Sequence, residues 1–164
     1  MLLASTPRLV VRLTNTQVIA QLISFSPQGD KVIAAVNGKH LRDAGWTYSG
    51  KNIPATYLTG LLIGKMALKT GSKKGIFDTG VVTPLKGGRL FAFLRGVLDA
   101  GFSVPHGEEK IFPSSERLSG KHIVDFVQKV KGKAGPQFAK YLKSNASPDN
   151  MTTQFALVKK KIMG

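Results

Sequence analysis

The sequence has 164 residues, of which 42% are hydrophobic and 20% charged, so it suits a compact fold and not a disordered chain. Lys and Arg number 24 against 9 Asp and Glu, and the formal net charge of +15 favours a polyanionic partner. The absence of cysteine excludes a disulfide framework and thiol catalysis. Neither a long apolar span nor a secretory leader is visible, so we expect a nucleic acid partner, no membrane contact and a cytoplasmic location.

The first part of the chain has the composition of three short strands. β-Branched and aliphatic residues concentrate over residues 8–13, 18–25 and 31–36, with polar turns between them. This spacing predicts an antiparallel meander of three strands. Arg8 and Arg12 share one face of the first strand because side chains alternate along a strand. The pair suits RNA contact, and charged residues that guard a solvated sheet edge are the alternative.

A long helix follows a glycine-rich segment. Apolar residues recur at helical spacing over residues 54–70, with a proline in the first turn and a glycine after the last. Gly60 and Gly64 lie inside this stretch, where glycine is unfavourable. We therefore expect these two glycines to let the helix pack closely on the sheet.

The next segment combines a strand, a loop and a helix. We expect a short buried strand at residues 75–79, a turn-rich loop at 80–88 and a helix at 89–100. Lys86, Gly88 and Arg89 surround the start of that helix, where exposed N–H groups and nearby cations suit a phosphate. The alternative is an ordinary N-cap glycine with cations that point into water.

The last part of the chain predicts one further strand and three helices. The strand is expected at residues 102–104, irregular structure at 111–120, and helices at 121–130, 136–144 and 151–163, with a basic linker at 131–135. The whole order indicates an α/β fold: a mixed sheet with helices packed on it, in the order of ribonuclease-H-like proteins. We expect residues 1–120 to form an α/β RNA-binding domain and residues 121–164 a C-terminal helical extension.

The acidic residues and histidines do not predict an active site. A nuclease on this fold needs several carboxylates around divalent metals, but Asp78 is the only acid on a predicted core strand. His40, His106 and His122 are scattered along the chain. We therefore expect no catalysis, no metal and no cofactor. A nucleic-acid-processing enzyme and a basic protein-interaction module remain the alternatives to a structural RNA-binding protein.

Four segments of the sequence resemble a known family. They are Pro-Arg-Leu-Val-Val-Arg-Leu-Thr-Asn at 7–15, Asn-Ile-Pro-Ala-Thr-Tyr-Leu-Thr-Gly-Leu-Leu-Ile-Gly-Lys at 52–65, the stretch at 74–101, and Val-Pro-His-Gly-Glu-Glu at 104–109. Together they resemble the universal large-subunit ribosomal protein that binds 5S rRNA, the L-eighteen family, in its archaeal form. The likeness continues into the tail at residues 120–123 and 155–162.

The resemblance implies a structural role in the ribosome. It implies that the chain grips 5S rRNA in the central protuberance, contacts 23S-type rRNA of the large subunit and meets neighbouring ribosomal proteins. The RNA contacts that it implies combine Arg and Lys for phosphates with Asn and Gln for riboses or bases. They are Arg8, Arg12, Asn15, Gln17, Lys51, Asn52, Lys86, Gly88 and Arg89.

Overall fold

The computed structural model describes residues 6–130 and 147–164. Its sheet consists of β1 (Arg8–Leu13), β2 (Val18–Ser24), β3 (Lys31–Val36) and β4 (Ile76–Asp78). The first three strands form an antiparallel meander, and β4 pairs in parallel with β1, which gives the order β3-β2-β1-β4. The predicted meander and the mixed sheet are therefore confirmed.

Within residues 6–130 and 147–164, six helices accompany the sheet. They are α1 (Gly38–Asp43), α2 (Ile53–Lys69), α3 (Arg89–Asp99), α4 (Ser115–Ser119), α5 (Lys121–Val130) and α6 (Met151–Met163). Short 3-10 turns occur at Glu109–Ile111 and Pro148–Asn150. In the described parts of the chain, no helix has the length and apolar character needed to cross a bilayer. The predicted α/β fold with a C-terminal helix is confirmed.

One face of the sheet packs against α2 and α3. Leu9 and Val11 alternate onto this face of β1, and Leu22 joins them from β2. Phe93 and Val97 of α3 complete the same core, and all five side chains are almost fully buried. The alternation along β1 and β2 thus fixes which residues meet the helices and which remain on the open face.

Glycines bring α2 and α3 into close contact. A Cβ atom on Gly60 would lie 2.1 Å from the carbonyl oxygen of Phe93, and one on Gly96 would lie 2.1 Å from that of Tyr57. A Cβ on Gly64 would come within 2.7 Å of Ala100. The expectation that Gly60 and Gly64 allow close packing on the sheet is therefore wrong, because they pack against α3 and its C-cap. A glycine in a helix indicates that another element approaches closely, but the sequence does not identify that element.

A second core lies on the other side of α2. Trp46, Tyr57, Met151 and Phe155 are buried in it, so α2 lies between the sheet and α6. Polar contacts hold α6 in place as well, because the Gln154 side chain donates to the carbonyl oxygen of Gly45 over 2.7 Å. The C-terminal helix is therefore part of the packed structure and buries the outer face of α2.

Two local expectations are wrong. Residues 102–104 do not form a strand, since only Ser103 bridges to Lys74, and Pro105 then removes a backbone donor. The segment 111–120 is not wholly irregular, because it contains α4, which ends at Gly120 in the left-handed conformation (φ 85°). The expected linker at 131–135 and helix at 136–144 lie outside the described residues.

Candidate nucleic-acid interface

The carboxyl ends of three strands meet at one end of the sheet. β2 runs antiparallel to β1 and β3, and β4 runs parallel to β1, so β1, β3 and β4 all end on the same side. In α/β proteins this is the end where loops and helix N-termini collect and where ligands bind. Four segments follow these strand ends or pair with them: residues 12–17, 37–40, 50–52 and 80–89. We call them together the strand-end surface.

The turn between β1 and β2 is held by Thr14. Its Oγ1 donates to the carbonyl oxygen of Gln17 over 2.7 Å and accepts from the Gln17 N–H over 3.0 Å. The side chains of Arg12, Asn15 and Thr16 are exposed around this turn. A fixed turn with an exposed Arg and Asn provides one donor for a phosphate and one group for a ribose or base.

Gln17 connects the turn to two helices. Its Oε1 accepts from the backbone N–H of Gly38 over 2.9 Å, at the start of α1. Gln17 also bridges to Gly50, which precedes the start of α2. A Cβ on Gly38 would lie 2.5 Å from that Oε1, so the glycine is needed for the contact. Gln17 therefore organises the strand-end surface from within, with its side-chain oxygen already used.

Asparagines cap the two helices that begin here. The side chain of Asn37 accepts from the Lys39 N–H over 3.0 Å, and that of Asn52 accepts from the Ala55 N–H over 2.9 Å. Each helix presents the positive end of its dipole and unpaired N–H groups at this side of the sheet. Asn52 Nδ2 is buried without a hydrogen-bond partner among the described residues. Lys51, directly before it, is exposed.

The loop at residues 80–88 leads from β4 to the N-terminus of α3. Gly87 adopts the left-handed conformation (φ 65°), and its N–H donates to the carbonyl oxygen of Ile111 over 2.9 Å. The Gly88 N–H donates to Leu85 over 2.9 Å, and Gly88 caps α3 with no side-chain hydrogen bond. Both glycine N–H groups are thus used within the chain, and the side chains of Lys86 and Arg89, both exposed, provide cationic donors at this loop.

The direction of α3 confirms that this loop lies at the strand ends. β4 runs in the same direction as β1 and ends beside the middle of that strand, because Asp78 pairs with Val10. After α3 the chain reaches Ser103, which bridges to Lys74 just before β4, at the opposite end of the sheet. The helix therefore starts at the strand-end surface and runs away from it, as α2 does.

The four segments of the strand-end surface carry cations and no carboxylate, although Asp78, at the end of β4, borders the last segment and accepts from the Gly80 N–H over 2.9 Å. Residues 12–17, 37–40, 50–52 and 80–89 contain no Asp or Glu. Their cations are all exposed, and none forms an ion pair with a carboxylate in the described part of the chain. They are Arg12, Lys39, Lys51, Lys86 and Arg89. Such a set attracts phosphates, because uncompensated positive charges combine with helix N-termini of the same sign.

Arg8 lies elsewhere. It begins β1, at the end of the sheet opposite to the strand-end surface, and its guanidinium pairs with Asp30 of the β2–β3 turn. A second contact joins Arg8 to Asp78 over 3.8 Å. Arg8 Nε is buried without a hydrogen-bond partner among the described residues. The guanidinium is therefore neutralised within the chain and is separated from the other eight predicted contacts.

Sequence reasoning missed Lys39. The signal was present, because Asn37 and Gly38 follow a strand directly and an Asn in that place commonly caps a helix. No group of three or more His, Asp or Glu side chains that could hold a metal ion occurs within residues 6–130 and 147–164. The described site is thus a cationic surface built from turns and helix starts.

Comparison with known proteins gives the family. Residues 4–76 match the family described as ribosomal large subunit proteins 60S L5 and 50S L18. The chain is 45% identical over 158 residues to the large ribosomal subunit protein uL18 of Korarchaeum cryptofilum, an alignment that covers 95% of this chain and 80% of that protein. The chain belongs to the uL18 family. The uL18 protein of Caldivirga maquilingensis is 43% identical over 169 residues, with 99% and 81% of the two chains covered.

Membership gives the chain its general role. Members of the uL18 family are structural proteins of the large ribosomal subunit, so this chain is an rRNA-binding constituent of that subunit in the cytoplasm. The family implies rRNA and other ribosomal proteins as its partners. The resemblance found in the sequence is therefore confirmed, and both relatives named here are archaeal, as its archaeal form predicts.

Proposed function

We propose that the strand-end surface is where this uL18 protein holds RNA, and that 5S rRNA is the RNA that it holds. The proposal rests on one observation: five exposed cations without a carboxylate among them gather where three helices begin. Positive side chains supply most of the affinity of a protein for RNA, and helix N-termini add to it. Attachment of 5S rRNA to the 23S-type rRNA in the central protuberance is the corresponding role in the subunit.

The residues divide into two groups by their proposed tasks. Arg12, Lys51, Lys86 and Arg89 pair with phosphates, and Asn15 donates to a ribose or base. Gln17, Asn52 and Gly88 hold the surface in shape, because their polar groups already serve the turn, the cap of α2 and the loop. We do not include Arg8 among the proposed RNA contacts, since two carboxylates neutralise it.

A competition experiment tests the identity of the RNA. The full chain is bound to labelled, folded 5S rRNA at physiological salt, and unlabelled 5S rRNA or an unrelated structured RNA of equal length is added. We expect 5S rRNA to displace the label at far lower concentration. Equal competition by both RNAs contradicts the proposal and supports a merely basic protein, because charge attraction alone does not distinguish RNA folds.

The proposed role is structural, without a catalytic activity of the chain itself. Labelled 5S rRNA incubated with a stoichiometric amount of the chain and Mg²⁺ should therefore stay intact over hours. Cleavage that depends on the divalent ion would contradict this part of the proposal and would favour a processing enzyme. An incubation with the chain heated beyond unfolding controls for contaminating ribonuclease, which commonly survives such treatment.

A further inference from the structure

Exposed aliphatic side chains gather in the loop between β4 and α3. Of the large hydrophobic residues that are exposed in the described part of the chain, three fall within five positions: Val81, Val82 and Leu85, which are 103%, 38% and 72% exposed. The others, such as Phe25 and Leu157, stand apart along the chain. Single exposed apolar residues are common, but a cluster in one loop indicates a contact surface. We call the three residues the aliphatic tip.

Hydrogen bonds hold this loop in a defined shape. Where the loop begins, Asp78 Oδ1 accepts from the Gly80 N–H over 2.9 Å, and Gly80 adopts the left-handed conformation (φ 60°). Where the loop ends, the Gly88 N–H donates to the carbonyl oxygen of Leu85 over 2.9 Å. Both ends are thus fixed within the chain, and the aliphatic tip between them is held out into solvent.

The charges beside the tip indicate the kind of partner that it meets. Lys86 and Arg89 follow Leu85 directly, are exposed and form no ion pair with a carboxylate of the described residues. Glu109 belongs to the 3-10 turn whose Ile111 accepts from Gly87, so an acidic residue borders only the base of the loop. The tip with its two cations suits a partner whose apolar surface lies beside regular negative charge. An RNA helix offers this combination, with ribose C–H groups next to rows of phosphates.

The residue types of the strand-end surface favour base-paired RNA over a single strand. Proteins commonly hold the bases of a single strand by stacking them on aromatic rings. The four segments contain no Phe, Tyr or Trp. Their one ring, that of His40, serves the cap of α1, where its Nδ1 accepts from the Asn37 N–H over 3.3 Å. Aliphatic side chains offer no flat face, but they fit the wide and shallow minor groove of an A-form helix.

We propose that the aliphatic tip enters the minor groove of a base-paired segment of rRNA. Val81 and Leu85 pack against riboses in the groove, and Lys86 and Arg89 meet the phosphates beside it. This inference rests on the proposed RNA-binding role of the strand-end surface. It adds to that role the form of the RNA, which is a helix, and a contact that does not depend on charge.

A salt series separates the apolar contact from the cationic one. The full chain carrying Val81→Asn and Leu85→Asn is titrated with folded 5S rRNA at several salt concentrations. We expect its affinity to fall about tenfold at each concentration, with an unchanged slope of log affinity against log salt, because no charge is removed. The control Leu157→Asn, at an exposed aliphatic residue of α6, should bind like the unchanged chain. Unchanged affinity of the double variant, or a reduced slope, overturns the inference.

Photo-crosslinking in the assembled subunit tests the form of the RNA. Val81→p-benzoylphenylalanine places at the tip a group that reacts with C–H bonds, which riboses provide. Leu157→p-benzoylphenylalanine is the control at an exposed position of another element. We expect position 81 to crosslink to both strands of one rRNA helix and position 157 not to reach that helix. Crosslinks from position 81 only to unpaired nucleotides, only to another protein, or to nothing overturn the inference.

The outcomes separate this inference from the proposed function. If Lys86→Ala with Arg89→Ala weakens binding to 5S rRNA and the variant of the aliphatic tip does not, the cationic contact stands and the groove contact is overturned. Crosslinks from Val81 to a helix of 23S-type rRNA support the groove contact and contradict the assignment of 5S rRNA to this surface. If neither double variant weakens binding, both proposals are contradicted.

Discussion

The two ends of the sheet contain similar cations in opposite settings. At one end Arg8 pairs with Asp30 and Asp78, and these two carboxylates neutralise its charge. At the other end Arg12 is exposed four residues further along the same strand face, in a surface whose four segments contain no acidic residue and where Arg12 forms no ion pair with a described carboxylate. The net charge of +15 is therefore not distributed evenly over the surface of the protein. A cation is available to RNA only where the fold brings no carboxylate to it.

The largest expected effect comes from removing charge at the strand ends. The double variant Lys86→Ala and Arg89→Ala should weaken binding to 5S rRNA by roughly tenfold per lost contact. It should also reduce the slope of log affinity against log salt by about 0.7 to 0.9 per contact. Lys129→Ala with Lys160→Ala, two exposed cations on other helices, is the matched control. Equal losses in both pairs would leave only general charge attraction.

Arg8→Ala tests whether the neutralised cation at the opposite end of the sheet contributes to RNA binding. Because two carboxylates already neutralise Arg8, its removal should leave the salt slope of RNA binding close to that of the unchanged chain. The free energy of unfolding should fall by about 1 kcal/mol or less, as is usual for exposed ion pairs. Arg12→Ala, on the same strand face, is the counterpart and should lower the slope. A slope that falls equally in both variants would refute the distinction between the two ends.

Gln17→Ala tests whether the strand-end surface depends on its internal connections. The change leaves the buried N–H of Gly38 without its acceptor, which should cost about 1 to 3 kcal/mol in the free energy of unfolding. Chemical denaturation measures this loss. The exposed Gln28, in the β2–β3 turn, provides the control Gln28→Ala, for which we expect almost no change. Equal stability of both variants would mean that Gln17 does not hold α1 in place.

The smallest expected effect is a pH dependence of stability, and it comes from His122 of α5, which belongs to neither end of the sheet. Burial, followed by the charge of Arg117, lowers the pKa of His122. The folded chain then binds fewer protons than the unfolded chain, so this contribution to stability is present above the ordinary histidine pKa of about 6.5 and decreases as the pH falls below it. When unfolding is measured from pH 7.5 to 5.5, the free energy of unfolding should decrease less in the His122→Gln variant than in the unchanged chain. An identical decrease would exclude His122 as its source.

How far the sequence predicts the fold depends on whether the signal is local. The β-branched and aliphatic stretches at residues 8–13 and 18–25, with a polar turn between them, predicted the first hairpin of the meander, because the signal and the strand pairing occupy the same short stretch. Gly60 did not reveal that its neighbour is Phe93, since that contact joins two helices. The division into residues 1–120 and 121–164 stays a prediction.

The candidate site shows the same limit. Arg8 and Arg12 are indistinguishable in the sequence, because both lie on one face of one strand beside apolar residues. Their difference comes from Asp30 and Asp78, which only the pairing of the sheet brings to Arg8. The position of Lys86 and Arg89 at the start of a helix could be predicted because the glycine-rich loop and the helix start are next to each other in the chain, and their contact with RNA stays a prediction.

Lysine footprinting tests the central claim most directly. The full chain is acetylated briefly with and without saturating 5S rRNA, and the modification of each lysine is measured by mass spectrometry. The account predicts strong protection of Lys39, Lys51 and Lys86 at the strand-end surface, with Lys129 and Lys160 unchanged. Uniform protection of all five lysines, or protection of Lys129 and Lys160 alone, would contradict it.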